Sequence, residues 1–411
     1  MTVLPRRDLL AALGAALLAA PAAAQTAGMS RRPLFVAAYA GARTGADRIH
    51  LPPGVDAPRP RRRGIPTILR ISEQGIARVG IDAPIHIPQA TPDGRSLVAA
   101  PMHGPDWALL DAGDLSLKAW GRSPEGFFGG GHAAFLRDGT VVTTERRFED
   151  PSIPVGEREG RLALRDPRTL AVLAAFPSGG IRPHDVRILP DGRRAAVAHY
   201  GSYNPGGGRG FARDVPEVVA AGVAIVDLRT GRREAFLAGP TPHAEVRHLD
   251  LLGARLVAGQ VREVAPDHPE AAAAPPYVQD TARTRFVSAP LVQADLAARV
   301  PALAPIAGTD AAVHALSVLA DATHHEILVA LAARNAIAVV GQDGRLRRIV
   351  DVGAHGCISP SGLGHVSPRH YAVAGHLQGV FVLERGTHRF VPEMSAPDID
   401  VGGHSHLSAA P

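Results

Sequence analysis

The chain has 411 residues, of which 45% are hydrophobic, 4% aromatic and 20% charged. This apolar content is enough for a large core, so the composition excludes a disordered or collagen-like chain. The formal net charge is only +5, and no basic stripe with interleaved aromatic residues occurs, which argues against a nucleic-acid partner. The single cysteine, Cys357, excludes an intramolecular disulfide framework and a cysteine-ligated cluster.

The N-terminal segment, residues 1–24, has the order of a secretory signal peptide. Arg6 and Arg7 precede an apolar run over residues 9–20, and small residues up to Ala24 supply a cleavage site. Adjacent arginines are typical of the twin-arginine route, so the export machinery is the expected partner and the periplasm the expected compartment. The apolar run is too short to span the roughly 30 Å hydrocarbon core of a bilayer. No later segment is long and apolar enough to span it either.

Residues 25–411 are predicted to form a single all-β domain. Short alternating strands recur around turns of the Asp-Gly type, each giving a hairpin. These hairpins begin at Pro84, His132, His184, Glu245, His314 and Gly362. A second hairpin follows each one, so that four antiparallel strands repeat every roughly 45 to 60 residues, which is typical of propeller blades.

The two ends of the domain are predicted to complete one further blade. Three N-terminal strands are expected within residues 34–40, 67–71 and 76–81, and one C-terminal strand within residues 402–409. Pairing of these strands removes the open edges of the ring. The predicted fold is therefore a seven-bladed β-propeller closed by N- and C-terminal strands in one blade, with six or eight blades as alternatives.

Histidines recur at equivalent positions of the repeats. Alignment on the Asp-Gly turns places five of them at the start of an inner strand: His86, His132, His184, His314 and His404, with His406 two residues further on. In the weaker fourth copy His243 and Glu245 flank this position. Second strands end at the same face, at His103, Glu145, His199 and His376. Long inserts that follow second strands are predicted to wall this mouth of the channel.

This pattern predicts a transition-metal site at the channel mouth. Imidazole is the most common ligand for such metals, and histidine with carboxylate suits iron, copper or zinc. The favoured ligands are His132, His184, Glu145 and His199, and the further candidates are His86, His103, His314 and His404. For each histidine the alternative is structural, namely a hydrogen bond from the ring to the backbone that fixes a turn between blades.

Several stretches resemble the bacterial family DUF1513. They are residues 131–135, 143–145, 181–192 and 247–249. The resemblance implies an exported propeller similar to the YVTN and amine-dehydrogenase-like propellers. Members of this family are often encoded beside imelysin-type periplasmic iron proteins. The resemblance therefore also implies a role in metal uptake, with periplasmic metal-uptake proteins as partners. It implies no catalytic residues.

Three functions follow as hypotheses. The first is a ligand- or metal-binding accessory protein, the second a metal-dependent periplasmic oxidoreductase, and the third a protein-interaction scaffold. The glycine runs 129–131 and 206–208 precede no helix, so they predict flexible turns and not a phosphate-binding loop. Ser359 and Ser361 lack the context of a nucleophile elbow. The sequence thus favours binding over catalysis.

Overall fold

The computed structural model describes residues 32–38, 48–58, 64–147, 152–203, 215–403 and 405–409. Within these ranges the regular structure is almost entirely β-strand, with five short 3₁₀ turns. The turns are Val155–Glu157, Pro269–Ala273, Ala332–Arg334, Gly353–His355 and Pro392–Met394. No helix of the described ranges is long and apolar enough to cross a bilayer. The predicted signal peptide, residues 1–24, lies outside them.

Seven sheets follow one another along the chain as the blades of a propeller, which confirms the predicted fold. Their strands pair antiparallel, except that Ile49–His50 pairs in parallel with Gly75–Ile81. The N-terminal strands, which belong to blade 7, are β1 (Leu34–Ala38), β2 (Ile49–His50), β3 (Thr67–Ser72) and β4 (Gly75–Ile81). Blade 1 contains β5 (Ile85–Ala90), β6 (Ser96–Pro101), β7 (Asp106–Asp111) and β8 (Leu117–Arg122). Blade 2 contains β9 (Phe127–Phe135), β10 (Val141–Arg147), β11 (Glu159–Arg165) and β12 (Val172–Ile181).

Blades 3 and 4 carry additions to the four-stranded plan. Blade 3 contains β13 (Pro183–Ile188), β14 (Arg194–His199), β17 (Gly222–Asp227) and β18 (Arg233–Ala238), with a small hairpin of β15 (Ser202–Tyr203) and β16 (Glu217–Val218) inserted after its second strand. Blade 4 contains β19 (Ala244–Leu252), β20 (Arg255–Val264), β22 (Val292–Asp295) and β23 (Ala304–Pro305), and β21 (Arg285–Val287) also pairs with β20.

The last two blades are regular, and the chain then returns to blade 7. Blade 5 contains β24 (Ala315–Asp321), β25 (Glu326–Leu331), β26 (Ala336–Gly341) and β27 (Leu346–Asp351). Blade 6 contains β28 (Gly362–Ser367), β29 (His370–Ala374), β30 (Gln378–Glu384) and β31 (Ala396–Asp400). The final strand, β32 (Leu407–Ala409), pairs with β1 so that Val36 lies opposite Leu407. The predicted closure by the two chain ends is confirmed.

The core lies between neighbouring blades. One apolar cluster joins Val36 of blade 7 to Val382 of blade 6, and another joins Ile225 of blade 3 to Val292 of blade 4. Because each middle strand is covered on both faces, strands such as β25 and β26 are buried along their whole length, whereas the outer strand β27 is mostly exposed.

The first strand of each blade lies nearest the propeller axis; in blade 7 this strand is β32. These seven inner strands contact one another in a ring. The first and second strands of each blade are antiparallel, so each first strand begins at the face where each second strand ends. We call this the upper face. It is the face where the sequence predicts the site.

Candidate functional site

Histidine side chains from five blades meet at the axis near the upper face. We call them the histidine cluster: His86 of β5, His132 of β9, His184 of β13, His248 of β19 and His406, which immediately precedes β32. Each is at most 6% exposed. The structure therefore brings imidazoles from blades 1, 2, 3, 4 and 7 into one buried group.

The ring nitrogens of the cluster surround a space close to the size of one metal ion. One nitrogen from each of His86, His132, His248 and His406 lies within 4.8 Å of all the others. In a tetrahedral zinc site with bonds of about 2.0–2.1 Å, ligand nitrogens lie roughly 3.3 Å apart. His184 adjoins the four, because its Nε2 lies 3.0 Å from Nε2 of His248. Small side-chain movements would bring the four nitrogens to bonding distance.

Irregular pairing of the inner strands aims these rings at the axis. The register against the second strand shifts at His86 in blade 1, at His184 and Asp185 in blade 3, and just before His248 in blade 4. A β-bulge inserts an unpaired residue and redirects the side chains beside it, and such bulges are frequent next to functional sites. The bulges thus explain how β-strands from different blades present rings to one point.

Glycine at position 131 leaves room for two of the rings. Its φ is +112°, and a Cβ atom there would lie 2.8 Å from Cδ2 of His86 and 2.9 Å from Cε1 of His184. Only glycine accepts both this backbone conformation and this proximity. The expectation that residues 129–131 form a flexible turn was wrong, because they lie inside strand β9. Residues 206–208 lie outside the described ranges.

A buried carboxylate stands behind His132. Oδ1 of Asp185 lies 3.3 Å from Nδ1 of His132, and Oδ2 of Asp185 accepts a hydrogen bond of 3.1 Å from the backbone N–H of Leu249. Neither Nδ1 nor Nε2 of His132 makes a hydrogen bond to any described residue. Metal-binding histidines commonly have a carboxylate at the ring nitrogen that faces away from the metal, and Asp185 lies at that side of His132.

The backbone orients His184 similarly. Its Nδ1 lies 2.5 Å from the carbonyl oxygen of Gly130, which can only accept a hydrogen bond. Nδ1 therefore carries the proton, and Nε2 presents its lone pair towards His248. Burial holds the pKa of His184 and His406 well below 6.5, and neighbouring histidines add to this effect. Burial likewise lowers the pKa of His132 to about 4, although Asp185 opposes the shift.

Glu145, one of the favoured ligands, is not brought to the cluster. Its carboxylate accepts a hydrogen bond of 2.5 Å from Nε of Arg161 and another from Nη2 of Arg165, which is fully buried. The neighbouring Arg146 points to the cluster instead, with Nη2 3.4 Å from Nδ1 of His184. The structure thus places Glu145 in an ion-paired group on the other side of β10.

The other predicted ligands that the structure describes also lie away from the cluster. Nε2 of His199 lies 3.0 Å from Oγ of Ser178. His314 stacks on the ring of Phe286 at 4.3 Å, with Nε2 3.2 Å from Nη1 of Arg247. His103 is exposed, and His404 lies outside the described residues. Of the eight predicted ligands, the structure brings together His86, His132 and His184.

Two members of the cluster were not among the predicted ligands. In the fourth copy the alignment gives a position flanked by His243 and Glu245, which leaves His248 out, and His243 is exposed in the structure. In the closing blade the alignment gives His404, with His406 two residues further on. The available signal was the resemblance of residues 247–249 to the DUF1513 family, together with the alternation that puts residues 404 and 406 on one side of a strand.

The buried histidines outside the cluster predict loss of stability in acid. His199 is fully buried, and burial lowers its pKa to about 3 from 6.5. Below pH 6.5 the ring of His199 takes up a proton in the unfolded state but stays neutral in the folded state. The contribution of His199 to the unfolding free energy is therefore complete above pH 6.5 and is lost as the pH falls. We expect His199 to account for a loss of about 2 kcal/mol in unfolding free energy between pH 7 and pH 5.

Denaturant unfolding at the two pH values measures this loss. In His199→Gln the difference between pH 7 and pH 5 should be smaller than in the parent protein by about that amount. An equal difference in both proteins would contradict the prediction.

Comparison with known proteins agrees with this architecture. Among solved structures, a chain of Kuenenia stuttgartiensis hydrazine synthase is similar, with a TM-score of 0.57 and 11% identity over 78% of this chain and 90% of that chain. At this identity the likeness shows the fold alone. No curated protein matches the chain. A family model described as "Protein of unknown function (DUF1513)" matches residues 83–342. The chain belongs to the DUF1513 family.

Proposed function

We propose that the protein binds one transition-metal ion at the propeller axis through His86, His132, His248 and His406, with His184 beside them. The observation that carries this proposal is the proximity of four buried ring nitrogens, all within 4.8 Å of one another. Imidazole nitrogens suit zinc, copper, iron and nickel, whereas calcium and magnesium prefer oxygen ligands. The site therefore selects a transition metal.

The surroundings of the four rings support a binding role over a structural one. A histidine that only fixes a turn needs its own backbone partner, as His365 has, with Nε2 2.8 Å from the carbonyl oxygen of Ala320. Nε2 of His132 has no such partner in the described ranges. Burial of several imidazoles face to face costs free energy, and a shared ion would offset that cost.

Metal titration of protein freed of metal by chelation tests the proposal. We expect one Zn²⁺ or Cu²⁺ ion per chain and a rise in melting temperature. At a free-metal concentration of 100 times Kd, binding should stabilise the folded state by about 2.7 kcal/mol. Fe²⁺ is titrated under anaerobic conditions, because a place in iron uptake is the physiological role that the family suggests, and Ca²⁺ serves as the control. Failure of all three transition metals to bind stoichiometrically would contradict the proposal.

We also propose that the protein is exported to the periplasm through the twin-arginine machinery. Support comes from the Arg6-Arg7 pair before the apolar run in residues 1–24. In a bacterium with this pathway, the full chain should appear in the periplasmic fraction, and the Arg6→Lys, Arg7→Lys variant should stay in the cytoplasm. Equal periplasmic amounts of both proteins would exclude this route. An accessory role alongside periplasmic metal-uptake proteins depends on this location.

A further inference from the structure

Three arginines surround one tyrosine beside the histidine cluster. The Cζ atoms of Arg146, Arg182 and Arg247 lie 4.6, 5.0 and 4.8 Å from the centroid of the Tyr200 ring. All four side chains are at most 6% exposed. We call the three arginines the arginine group. Three guanidinium groups packed around one ring, away from bulk water, are a costly arrangement of like charges.

The arginine group borders the histidine cluster directly. The ring of Tyr200 lies 4.9 Å from the ring of His184, centroid to centroid. Nη2 of Arg146 lies 3.4 Å from Nδ1 of His184 and 3.5 Å from the carbonyl oxygen of Gly130. The two groups therefore form one continuous polar region, with imidazoles at one end and guanidinium groups at the other.

Two carboxylates lie within reach of the arginine group. Glu245 accepts a hydrogen bond of 2.7 Å from Nε of Arg247 and lies 3.6 Å from Nη1 of Arg182, and Glu263 accepts one of 2.8 Å from Nη2 of Arg247. Three cations and two anions leave these five side chains with a net charge of +1. A divalent ion held by imidazoles, which supply no negative charge, would bring the charge of these five side chains and the ion together to +3.

We infer that the metal ion is bound together with a small oxyanion, of the carboxylate or sulfate type, that lies between the ion and the arginine group. This inference rests on the proposed metal site. An oxyanion would supply the negative charge that the imidazoles lack. Guanidinium groups match such anions, because their planar forks donate paired hydrogen bonds to two oxygens. The ligand of the protein is then a metal–oxyanion pair.

This inference predicts that metal and anion strengthen each other's binding. Linkage requires the two effects to be equal in size, and couplings between sites are commonly about 5- to 150-fold in affinity. We therefore expect the affinity for metal to rise at least about fivefold when a suitable oxyanion is present. The affinity for the oxyanion should rise by the same factor when metal is present.

Titration of the full chain with Co²⁺ tests the inference, because its visible spectrum reports a change of ligands. The titration is made at constant ionic strength in chloride-free perchlorate, acetate or sulfate; acetate represents a carboxylate and sulfate an inorganic oxyanion. We expect a lower Kd and a changed spectrum in acetate, sulfate or both. The Arg146→Gln variant should still bind Co²⁺ in perchlorate but lose the dependence on anion, and Arg146→Lys should retain part of it.

Arg385→Gln is the matched control, since Arg385 pairs with the buried Asp321 at the opposite face. It should keep the anion dependence. If Arg146→Gln does not fold, as judged by its melting curve, Arg182→Gln replaces it. Equal Co²⁺ affinity and spectra in all three salts would overturn the inference and leave the proposed metal site intact. Anion dependence that survives in the Arg146 and Arg182 variants would also overturn it. Absence of Co²⁺ and Zn²⁺ binding in every salt would instead overturn the metal site itself.

Discussion

Replacement of both His132 and His248 by alanine should abolish stoichiometric metal binding while the propeller stays folded. The two side chains come from blades 2 and 4 and supply two of the four nitrogens that lie within 4.8 Å of one another. Loss of a residue that merely orients a ligand weakens metal binding by about 10- to 100-fold. Loss of two ligands should therefore weaken it by more than about 100-fold. Metal analysis and Zn²⁺ titration measure this change.

The fold should tolerate the double substitution. The apolar clusters between blades contain neither histidine, and Asp185, which loses the ring of His132, keeps the backbone N–H of Leu249 and the guanidinium of Arg187 as partners. Circular dichroism and melting of the metal-free protein check this point. His199→Ala combined with His388→Ala is the matched control, because both residues are buried outside the cluster. A His132, His248 double variant that still holds one ion per chain would refute the assignment of the ligands.

Glu145→Gln should destabilise the protein strongly and leave its metal stoichiometry unchanged. The Glu145 carboxylate accepts hydrogen bonds from Arg161 and from Arg165, whose guanidinium also donates to the carbonyl oxygen of Leu170 at 2.8 Å and lies over Trp107. Removal of one partner from a buried ion pair typically costs about 3–5 kcal/mol, because the other charge stays buried. Denaturant unfolding of the metal-free protein at pH 7 measures this loss.

Two comparisons make this result specific. Asp111→Asn removes a carboxylate that pairs with Lys118 at 2.9 Å on the exposed surface, so it should cost less than about 1 kcal/mol. The combination Glu145→Leu with Arg165→Met should recover part of the loss, since it removes both charges. If Glu145→Gln instead lost its metal while keeping its unfolding free energy, Glu145 would be a ligand, as the sequence predicts.

The fold was predictable because it depends on a pattern that repeats. Alternating strands, Asp-Gly turns and the leftover strands at both chain ends identify the blades and the closure without any long-range information. The same register located His86, His132 and His184, because in these blades the turn after the inner strand has a similar length. In blade 3, for example, five residues separate Ile188 from Arg194.

Local irregularity explains what could not be predicted. In blade 4 only two residues separate Leu252 from Arg255, so counting back from the turn places the position between His243 and Glu245, and not His248, at the axis. In blade 2 the pairing shifts between Thr143 and Glu145, and a bulge reverses which side chains face inwards. A two-residue repeat drawn on the sequence therefore cannot tell whether Glu145 or Arg146 faces the cluster.

The position of His406 gives the closure of the ring a second role. This residue immediately precedes β32, the strand that joins the C-terminus to β1. His406 consequently reaches the cluster only when the final strand is paired, whereas the other cluster residues belong to blades that lie earlier along the chain. An ion held there would join the segment beside β32 to the inner strands of blades 1, 2 and 4 and so stabilise the closure of the ring. A chain that retains the metal would then be one in which the ring is closed. Loss of the C-terminal strand would open the ring and remove His406 from the metal site at the same time.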